Sequence, residues 1–285
     1  MSCVNMKDIL KRARTGKWAV GAFNVLDYAS FRAVVRAAEK AAAPVIVQTS
    51  VKTVQLWGFA AMVSWYRELA GASPVPVVLH LDHCKDVEFV RACINAGWTS
   101  VMIDASSRPF EENLSLTRQV IAMARPAGVT VEAELGEIGG VEEDIAVAES
   151  DARLADPAKA EAFVRALDLD LLAPAIGTAH GIYKGEPKIA FDRIGDISTR
   201  TGLPLALHGG TGLADDVFRR CIALGCAKVN ISTHLKHVFI DSLLEYRGAH
   251  PAEYEPVKDV AFQMERMTAP VEAFIRLFGG EGKAS

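Results

Sequence analysis

The chain has 285 residues, of which 50% are hydrophobic and 23% charged, and its formal net charge is -4. This composition is ordinary for a globular protein and gives no basic excess for binding nucleic acid. No apolar run approaches the roughly 20 residues needed to cross a bilayer, so we expect neither a membrane nor a nucleic-acid partner. Five cysteines without a CxxC pair or a signal-peptide pattern argue against a disulfide framework and favour the cytoplasm.

Short apolar segments alternate along the chain with longer segments of helical period, which is typical of parallel strands joined by crossover helices. The predicted strands are residues 18–23, 44–49, 76–82, 100–104, 129–134, 171–176, 204–208 and 228–232. The predicted helices between them include residues 31–42, 86–97, 156–168 and 215–225. In two of these helices an aspartate, Asp86 or Asp215, is expected at the N-cap, and a glycine, Gly97 or Gly225, at the C-terminal stop.

Eight strand–helix units without an intervening linker predict a (β/α)8 TIM barrel of the α/β class. We expect a single domain over residues 1–285, with a C-terminal helical extension at about 251–285. An open doubly wound sheet is the alternative. However, the first predicted strand runs into GAFNV and not into the GxGxxG motif that would bind a dinucleotide.

The carboxyl ends of the predicted strands carry most of the polar residues that an active site would need. In a barrel the active site is built at these ends. The residues concerned are Asn24, Ser50, Asp82, His83, Asp104, Glu134, His180, His208, Asn230, Ser232 and Thr233. The same position at the end of three strands favours convergence of His83, His180 and His208 on one ion, and three neutral imidazoles with an open position form a familiar catalytic zinc site. Any one of these histidines alone would more often be an ordinary packed or surface residue.

Two neighbours of these residues are interpreted as structural. His80 lies one pleat below Asp82 on the same strand and is expected to support the site without binding the metal. Cys84 follows His83, and alternate residues of a strand point to opposite sides, so Cys84 is expected to pack in the core.

One motif at the end of each of the last two predicted strands is suited to binding an anion: the first contains glycines and the second ends in two hydroxyl residues. LHGGTG occupies residues 207–212 and VNIST occupies residues 229–233. Glycines let backbone N–H groups surround an anion, and barrels often bind phosphate in the loops after strands seven and eight. Each motif is weak alone, but their positions predict a phosphate site.

An acidic, glycine-containing segment, EAELGEIGGVEED, begins at the end of the fifth predicted strand. A solvated acidic loop is one interpretation. A mobile loop that brings a carboxylate over the site is the other, because proton abstraction beside a carbonyl needs a positioned base and exclusion of water. The residues leave open which carboxylate would act: Glu137, Glu142, Glu143 or Asp144.

Six motifs occur in order over nearly the whole chain: LDHC, MIDAS, VEAELGEIGG, AIGTAHG, LHGGTG and KVNIST. Together they resemble the class II, metal-dependent ketose-bisphosphate aldolases, the family of fructose- and tagatose-bisphosphate aldolases. The resemblance implies a zinc-dependent enzyme that reversibly cleaves a ketose 1-phosphate or 1,6-bisphosphate to dihydroxyacetone phosphate and an aldehyde. We also expect the protein to bind a small sugar phosphate and to form a homodimer or homotetramer.

The resemblance assigns roles to the residues already singled out. It implies that His83, His180 and His208 hold the catalytic Zn2+, and that Asp104 and Glu134 belong to a second, non-catalytic metal site. Asp82 would exchange a proton with the C4 hydroxyl, and Glu142 would remove the proton from dihydroxyacetone phosphate. The 1-phosphate end would be held by Gly181, Gly209, Gly210, Thr211, Asn230, Ser232 and Thr233, with a monovalent cation (Na+ or K+) near Gly181, Gly209 and Thr211.

Two segments depart from the family pattern. Val257 in EYEPVKD stands where many bisphosphate-cleaving members have a phosphate-binding arginine, whose bidentate contacts valine cannot make. The loop after the second predicted strand carries Lys52, which could hold an anion as a point charge. Asn24 and Ser50 are further candidates for substrate binding. We therefore hypothesise that the aldehyde half of the substrate differs from the usual glyceraldehyde 3-phosphate.

Two other functions compete with the aldolase. A metal-dependent barrel hydrolase would normally carry HxH at the end of the first strand, where Asn24 stands. A non-catalytic sugar-phosphate-binding accessory subunit would have no need for the acid/base pair of Asp82 and Glu142.

Overall fold

The computed structural model describes residues 2–142, 145–147, 153–183 and 185–285, and the side chains of residues 141, 142 and 145–147 lie outside that description. Its strands are β1 (Val20–Asn24), β2 (Val45–Thr49), β3 (Val77–Cys84), β4 (Ser100–Ile103), β5 (Thr130–Leu135), β6 (Gly139–Glu142), β7 (Ile145–Val147), β8 (Leu171–Pro174), β9 (Ala179–His180), β10 (Leu205–Leu207) and β11 (Cys226–Ile231). Parallel strands close into a barrel in the order β1, β11, β10, β8, β5, β4, β3, β2. Each of these eight overlaps one predicted strand, so the predicted barrel is confirmed.

Helices connect the strands and surround the barrel. They are α1 (Lys7–Gly16), α2 (Tyr28–Lys40), α3 (Val51–Trp57), α4 (Phe59–Ala72), α5 (Val87–Ala96), α6 (Phe110–Ala124), α7 (Pro157–Arg165), α8 (Phe191–Thr201), α9 (Asp215–Ala223), α10 (Thr233–Ala249) and α11 (Pro256–Leu277). Among the described residues, no helix is both long enough and apolar enough to span a membrane. The C-terminal helix α11 packs against α2, α10 and β1.

The helix ends follow the predicted signals in one case and shift by a residue in another. Asp86 precedes α5 and accepts a hydrogen bond from the backbone N–H of Glu88, while Gly97 ends the helix with φ +123°. At α9 the cap position is taken by Ala214, so the expectation that Asp215 caps this helix is wrong. Asp215 lies inside the first turn, where its charge interacts favourably with the helix dipole.

Two apolar cores flank the strands. The larger lies between the barrel and the surrounding helices. The smaller fills the barrel interior at the amino-terminal ends of the strands, where Met6, Leu10 and Ala13 of the N-terminal segment pack with Ile46 and Val78. Helix α1 therefore closes the N-terminal end of the barrel with apolar side chains.

Candidate active site

The end of β3 directs two adjacent side chains toward the barrel interior. His83 has φ +45°, in the left-handed region that bulky residues rarely adopt, and the pairing of β3 with β4 shifts register between Leu81 and Cys84. This break in the alternation lets Asp82 and His83 both contact residues at the mouth of the barrel. Cys84 is buried in the outer core, and its thiol contacts the backbone carbonyl of Asp86 at 3.3 Å. The interpretation of Cys84 as a packing residue agrees with this position.

His83, His180 and His208 come together at the mouth of the barrel. Each offers one ring nitrogen, and these atoms all lie within 4.8 Å of one another. Nε2 of His83 is 2.8 Å from Nδ1 of His208, and the ring of His180 packs edge-on against His83 at 4.8 Å between centroids. The three histidines thus form a group that could hold a metal ion.

Neighbouring carboxylates determine which ring nitrogens carry protons. Nδ1 of His83 lies 3.0 Å from Oδ2 of Asp104, and Nε2 of His208 lies 2.6 Å from Oε1 of Glu132. Because carboxylate oxygens accept hydrogen bonds, these two nitrogens donate. The remaining nitrogens, Nε2 of His83 and Nδ1 of His208, then face each other at 2.8 Å, where two lone pairs without a proton or a cation between them would repel. Only a shared proton or a cation relieves that arrangement, so the donor set fits a metal.

The electrostatics of the group also favour a cation. Burial lowers the pKa values of His180 and His208 well below the usual value, so these rings are neutral and keep a lone pair. Burial acts in the same direction on His83, but the charges of Asp82 and Asp104 outweigh it and raise the pKa of His83 to about 10. The carboxylates around His83 therefore attract positive charge to the point where the rings meet.

A second group that could hold a cation adjoins the first. His83, Asp104 and Glu134 offer ligand atoms within the same short separation. Burial raises the pKa of Glu134 well above its usual value, and the neighbouring Asp104 adds to this effect. Burial acts likewise on Asp104, but the hydrogen bond to His83 outweighs it and lowers its pKa. Oε2 of Glu134 is buried without a hydrogen-bond partner in the described part of the chain, which fits an oxygen atom that binds a cation.

Asp82 is held by three side-chain amides. Nδ2 of Asn24 and Nε2 of Gln48 donate to its Oδ2 at 3.1 and 3.2 Å, and Nδ2 of Asn230 donates to its Oδ1 at 3.3 Å. Burial alone would raise the pKa of Asp82, but the positive charges of His83 and Lys228 and the Asn24 amide lower it. Asp82 is therefore ionised, the form that can accept a proton.

The loops after β10 and β11 meet beside the histidines. Gly181 and Gly209 have positive φ values of +89° and +66°, and a side chain on Gly209 would lie 2.5 Å from the carbonyl oxygen of Ala179. Oγ1 of Thr211 accepts from the backbone N–H of His234 at 3.2 Å, which joins the loop of residues 207–212 to the start of α10. Of the other predicted residues, Gly210 lies in this loop, Ser232 and Thr233 lie at the start of α10, and Asn230 lies near the end of β11.

A small second sheet was not predicted and lies over this end of the barrel. β6 pairs with β7 antiparallel and with β9 in parallel, which places Gly140 opposite His180. A Cβ atom on Gly140 would lie 2.1 Å from the carbonyl oxygen of His180, so only glycine permits this approach. The acidic segment is therefore attached to a candidate metal ligand. The side chain of Glu142, and residues Glu143 and Asp144, lie outside the described part of the chain.

The remaining predicted residues lie at the starts of helices α3 and α11. Ser50 caps α3 by accepting from the backbone N–H of Thr53, and Lys52 is exposed in the first turn of that helix. Val257 is 71% exposed at the start of α11. The 17 residues of α10 separate the site from this segment, a length of about 25 Å at 1.5 Å per residue. Val257 thus lies away from the group of His83, His180 and His208 in its own chain.

Sequence analysis missed three buried polar residues of the interior: Gln48, Glu132 and Lys228. Gln48 contacts Asp82, and Glu132 forms an ion pair with Lys228 while contacting His208. His80 lies beside this group, bonded through Nδ1 to Ser100 at 2.8 Å. Spacing was the available signal, because Glu132 and Lys228 each lie two residues before a predicted site residue and therefore on the same side of the strand.

Comparison with known proteins identifies the family of the chain. The family model for class-II fructose-bisphosphate aldolases matches residues 4–283. The chain belongs to this family. It is 42% identical to a fructose-bisphosphate aldolase of Geobacillus stearothermophilus, with both chains fully covered. It is 43% identical to a 6-phospho-5-dehydro-2-deoxy-D-gluconate aldolase of Halalkalibacterium halodurans, over 82% of this chain and 81% of that one.

A solved aldolase structure has the same fold as this chain. The crystal structure of the YdjI aldolase from Escherichia coli K12 matches with a TM-score of 0.88 and 30% identity, covering 99% of this chain and 100% of that chain. The chain is accordingly an aldolase, a carbon–carbon lyase, on a TIM barrel. The predicted family, fold and enzyme class are confirmed, and a barrel hydrolase is excluded as an alternative.

Proposed function

We propose that this class-II aldolase uses zinc to cleave a ketose 1-phosphate or 1,6-bisphosphate reversibly into dihydroxyacetone phosphate and an aldehyde. The observation that carries the proposal is the approach of His83 Nε2 to His208 Nδ1 at 2.8 Å, beside His180 and Asp82. Zinc held by these three histidines supplies Lewis-acid polarisation of the ketose carbonyl. Asp104 and Glu134, with His83, are proposed to hold a second, non-catalytic metal.

Asp82 is proposed to accept the proton of the C4 hydroxyl as the C3–C4 bond breaks. The electron pair of that bond remains with the dihydroxyacetone phosphate half, and the C4 oxygen becomes the aldehyde carbonyl. The amides of Asn24, Gln48 and Asn230 hold the carboxylate in one orientation. In the synthetic direction Asp82 returns the proton to the aldehyde oxygen.

Glu142 is proposed to move the proton at C3 of dihydroxyacetone phosphate. It lies two residues beyond Gly140, which pairs with His180, so its backbone is about 7 Å along the strand from that ligand. Among the other carboxylates of the segment, Glu137 pairs through its backbone with Arg153. This connection supports Glu142 over Glu137 as the group that reaches the substrate.

The variant Glu142→Gln should bind zinc normally but lose exchange of the C3 proton of dihydroxyacetone phosphate by about 10²- to 10⁴-fold, the usual contribution of a general base. Exchange is measured by loss of tritium or deuterium from labelled dihydroxyacetone phosphate. Glu137→Gln is the matched control and should exchange like the unmodified protein. Full exchange by Glu142→Gln would contradict the assignment and point to Glu143 or Asp144.

The 1-phosphate is proposed to bind between the loop of residues 207–212 and the start of α10. Oγ of Ser232 is buried without a hydrogen-bond partner in the described residues, and a phosphate oxygen would supply one. The first backbone N–H groups of α10 add a site for negative charge. The residues proposed for this role are Gly181, Gly209, Gly210, Thr211, Asn230, Ser232 and Thr233. A monovalent cation, Na+ or K+, is proposed near Gly181, Gly209 and Thr211.

The aldehyde half of the substrate is proposed to differ from glyceraldehyde 3-phosphate. Valine at position 257 cannot contact a phosphate as arginine does, and Lys52 introduces a positive charge after β2. The relatives of the chain are named for different phosphorylated substrates, which leaves this half open to variation within the family. Asn24, Ser50 and Lys52 are the residues proposed to contact it.

We also propose a homodimer or homotetramer in the cytoplasm. Ile240 and Leu244 are one helical turn apart on α10 and are 54% and 65% exposed, which supports burial against another copy. All five cysteines are free, which suits a reducing compartment. Sedimentation equilibrium would measure the oligomeric state.

The proposed function is tested by cleavage of a panel of ketose 1-phosphates and 1,6-bisphosphates, scored by released dihydroxyacetone phosphate. The zinc-loaded protein should cleave at least one member, a chelator should abolish cleavage, and added zinc should restore it. Preference for a bisphosphate would assign the distal phosphate to Lys52 or another cation. Preference for a substrate without that phosphate would support a changed aldehyde half. Cleavage that is insensitive to the chelator would contradict the zinc proposal.

A further inference from the structure

Glu132 and Lys228 form an ion pair enclosed within the barrel below the histidines. Both side chains are 0% exposed, and Nζ of Lys228 lies 2.9 Å from Oε2 of Glu132. The cost of removing two charges from water often cancels their attraction, and apolar residues of similar volume are commonly as stable or more so. Stability alone therefore does not explain a lysine and a glutamate at this depth.

The two oxygens of Glu132 have different partners. Oε2 faces Nζ of Lys228 and lies 3.4 Å from Nε2 of His80, whereas Oε1 accepts a hydrogen bond from Nε2 of His208 at 2.6 Å. With its proton on Nε2, His208 keeps the lone pair on Nδ1, the atom that faces His83. Glu132 thus fixes both the tautomer and the ring orientation of a candidate metal ligand, a task that carboxylates perform in many metal sites.

Lys228 has a second contact, on the other side of the ion pair. Its Nζ donates to Oδ1 of Asn230 at 2.7 Å. Because an ammonium group only donates, it keeps the carbonyl oxygen of the amide on its own side, and the NH2 group must point away. That NH2 group donates to Oδ1 of Asp82 at 3.3 Å. Lys228 therefore selects the orientation of Asn230 that holds Asp82.

We propose that Glu132 and Lys228 are positioning residues that align the two halves of the active site with each other. Glu132 orients His208 toward the metal, and Lys228 orients Asn230 toward Asp82. The ion pair between Glu132 and Lys228 fixes the positions of these two residues relative to each other. This role rests on the proposed zinc-dependent cleavage. Glu132 and Lys228 themselves lie beneath the groups proposed to touch metal and substrate, and act through them.

Zinc affinity tests the branch through Glu132. In Glu132→Gln the amide can still accept from His208 only by turning its NH2 group toward the ammonium of Lys228, so one contact must be lost. The zinc dissociation constant, measured by competition with a chelator, should rise by about 10- to 100-fold. The visible absorption of the Co2+-substituted protein should change as well. An unchanged dissociation constant with an unchanged Co2+ spectrum would overturn the role of Glu132.

The double variant Glu132→Gln/Lys228→Met tests the branch through Lys228. Without the ammonium, the amide at position 132 can accept from His208 unopposed, so zinc affinity should recover toward that of the unmodified protein. Asn230 is no longer oriented, so kcat should stay lower by about 10- to 100-fold while KM changes little, the expected cost of a misplaced catalytic group. If the kcat of the double variant equalled that of the unmodified protein, the role of Lys228 would be overturned.

A matched control separates positioning from the general cost of losing a buried carboxylate. Asp170 is also buried and pairs with Arg125 at 2.6 Å, but it precedes β8, at the opposite end of the barrel from the histidines. Asp170→Asn should lower the melting temperature and leave zinc affinity unchanged. A loss of zinc affinity in this control equal to that of Glu132→Gln would contradict a specific role for Glu132.

A measurement on the unmodified protein tests the proposed orientation of His208 even where a variant fails to fold. The ¹⁵N spectrum of the histidine rings in the zinc-loaded protein should show His208 protonated on Nε2. Protonation on Nδ1 would overturn the proposal. An unmodified protein that bound no zinc would contradict the proposed function itself, whereas zinc binding with unaffected variants would contradict only the positioning role.

Discussion

Replacement of His208 by alanine should abolish stoichiometric zinc binding and lower kcat/KM by at least about 10³-fold. His208 is 1% exposed and lies between His83 and Glu132, so its replacement by alanine removes one of the three nitrogen donors of the group. A metal contributes several kcal/mol of transition-state stabilisation, and each 1.4 kcal/mol corresponds to about a tenfold change in rate. Metal content by atomic emission and cleavage of the best substrate in the panel measure the two effects.

The control for this variant is His237→Ala. His237 is exposed on α10, outside the group of three histidines, and its loss should change neither zinc content nor rate. The melting temperature of both variants shows whether the barrel remains folded. Retention of one zinc per chain and of normal activity in His208→Ala would contradict the proposed metal centre.

Replacement of Asp82 by asparagine should lower kcat by about 10²- to 10⁴-fold with zinc content unchanged. Asparagine has nearly the same shape but cannot accept a proton, and its NH2 group would meet the donors of Asn24 and Gln48. Exchange of the C3 proton of dihydroxyacetone phosphate should persist, because that step does not involve the C4 oxygen. Steady-state cleavage and isotope exchange are measured on the same preparation.

The Asp82 and Glu142 variants act as controls for each other. Asp82→Asn should lose cleavage and keep C3 exchange, whereas Glu142→Gln should lose C3 exchange. If Asp82→Asn lost zinc, or lost C3 exchange as completely as cleavage, its role would lie in the metal site and not at the C4 hydroxyl.

The barrel was predictable because its strands are short, apolar and separated by helical segments with clear end signals. Each predicted strand overlaps a strand of the barrel. The prediction of convergence at the mouth followed from topology alone, since the carboxyl ends of all strands in a closed parallel barrel meet there. The grouping of His83, His180 and His208 follows this rule.

The features that sequence could not supply depend on backbone conformation and on contacts between distant strands. Nothing in LDHC shows that His83 adopts φ +45°, which allows two adjacent residues to face inward. Glu132 lies two residues before Glu134 and therefore on the same side of β5, but nothing in its own strand shows that Lys228 of β11 pairs with it where both side chains are 0% exposed. Such pairing across a barrel has no local signature.

The pairing of β6 with β9 escaped prediction for a related reason. Two glycines, Gly139 and Gly140, read as a loop, since glycine is unfavourable in a strand interior. They form a strand here by pairing with Ala179 and His180, and at Gly140 the backbone of His180 comes so close that any larger residue would collide with it.

This same pairing would couple metal binding at His180 to the position of the strand that carries Glu142. Gly139 and Gly140 share backbone hydrogen bonds with Ala179 and His180, so the segment and one ligand belong to a single sheet. Energetic coupling between two sites is reciprocal. An ion that immobilises His180 also restrains the strand that ends in Glu142, and any displacement of that strand weakens the hold on the ion. In the proposed mechanism, metal binding at His180 and the position of the strand that carries Glu142 are therefore coupled.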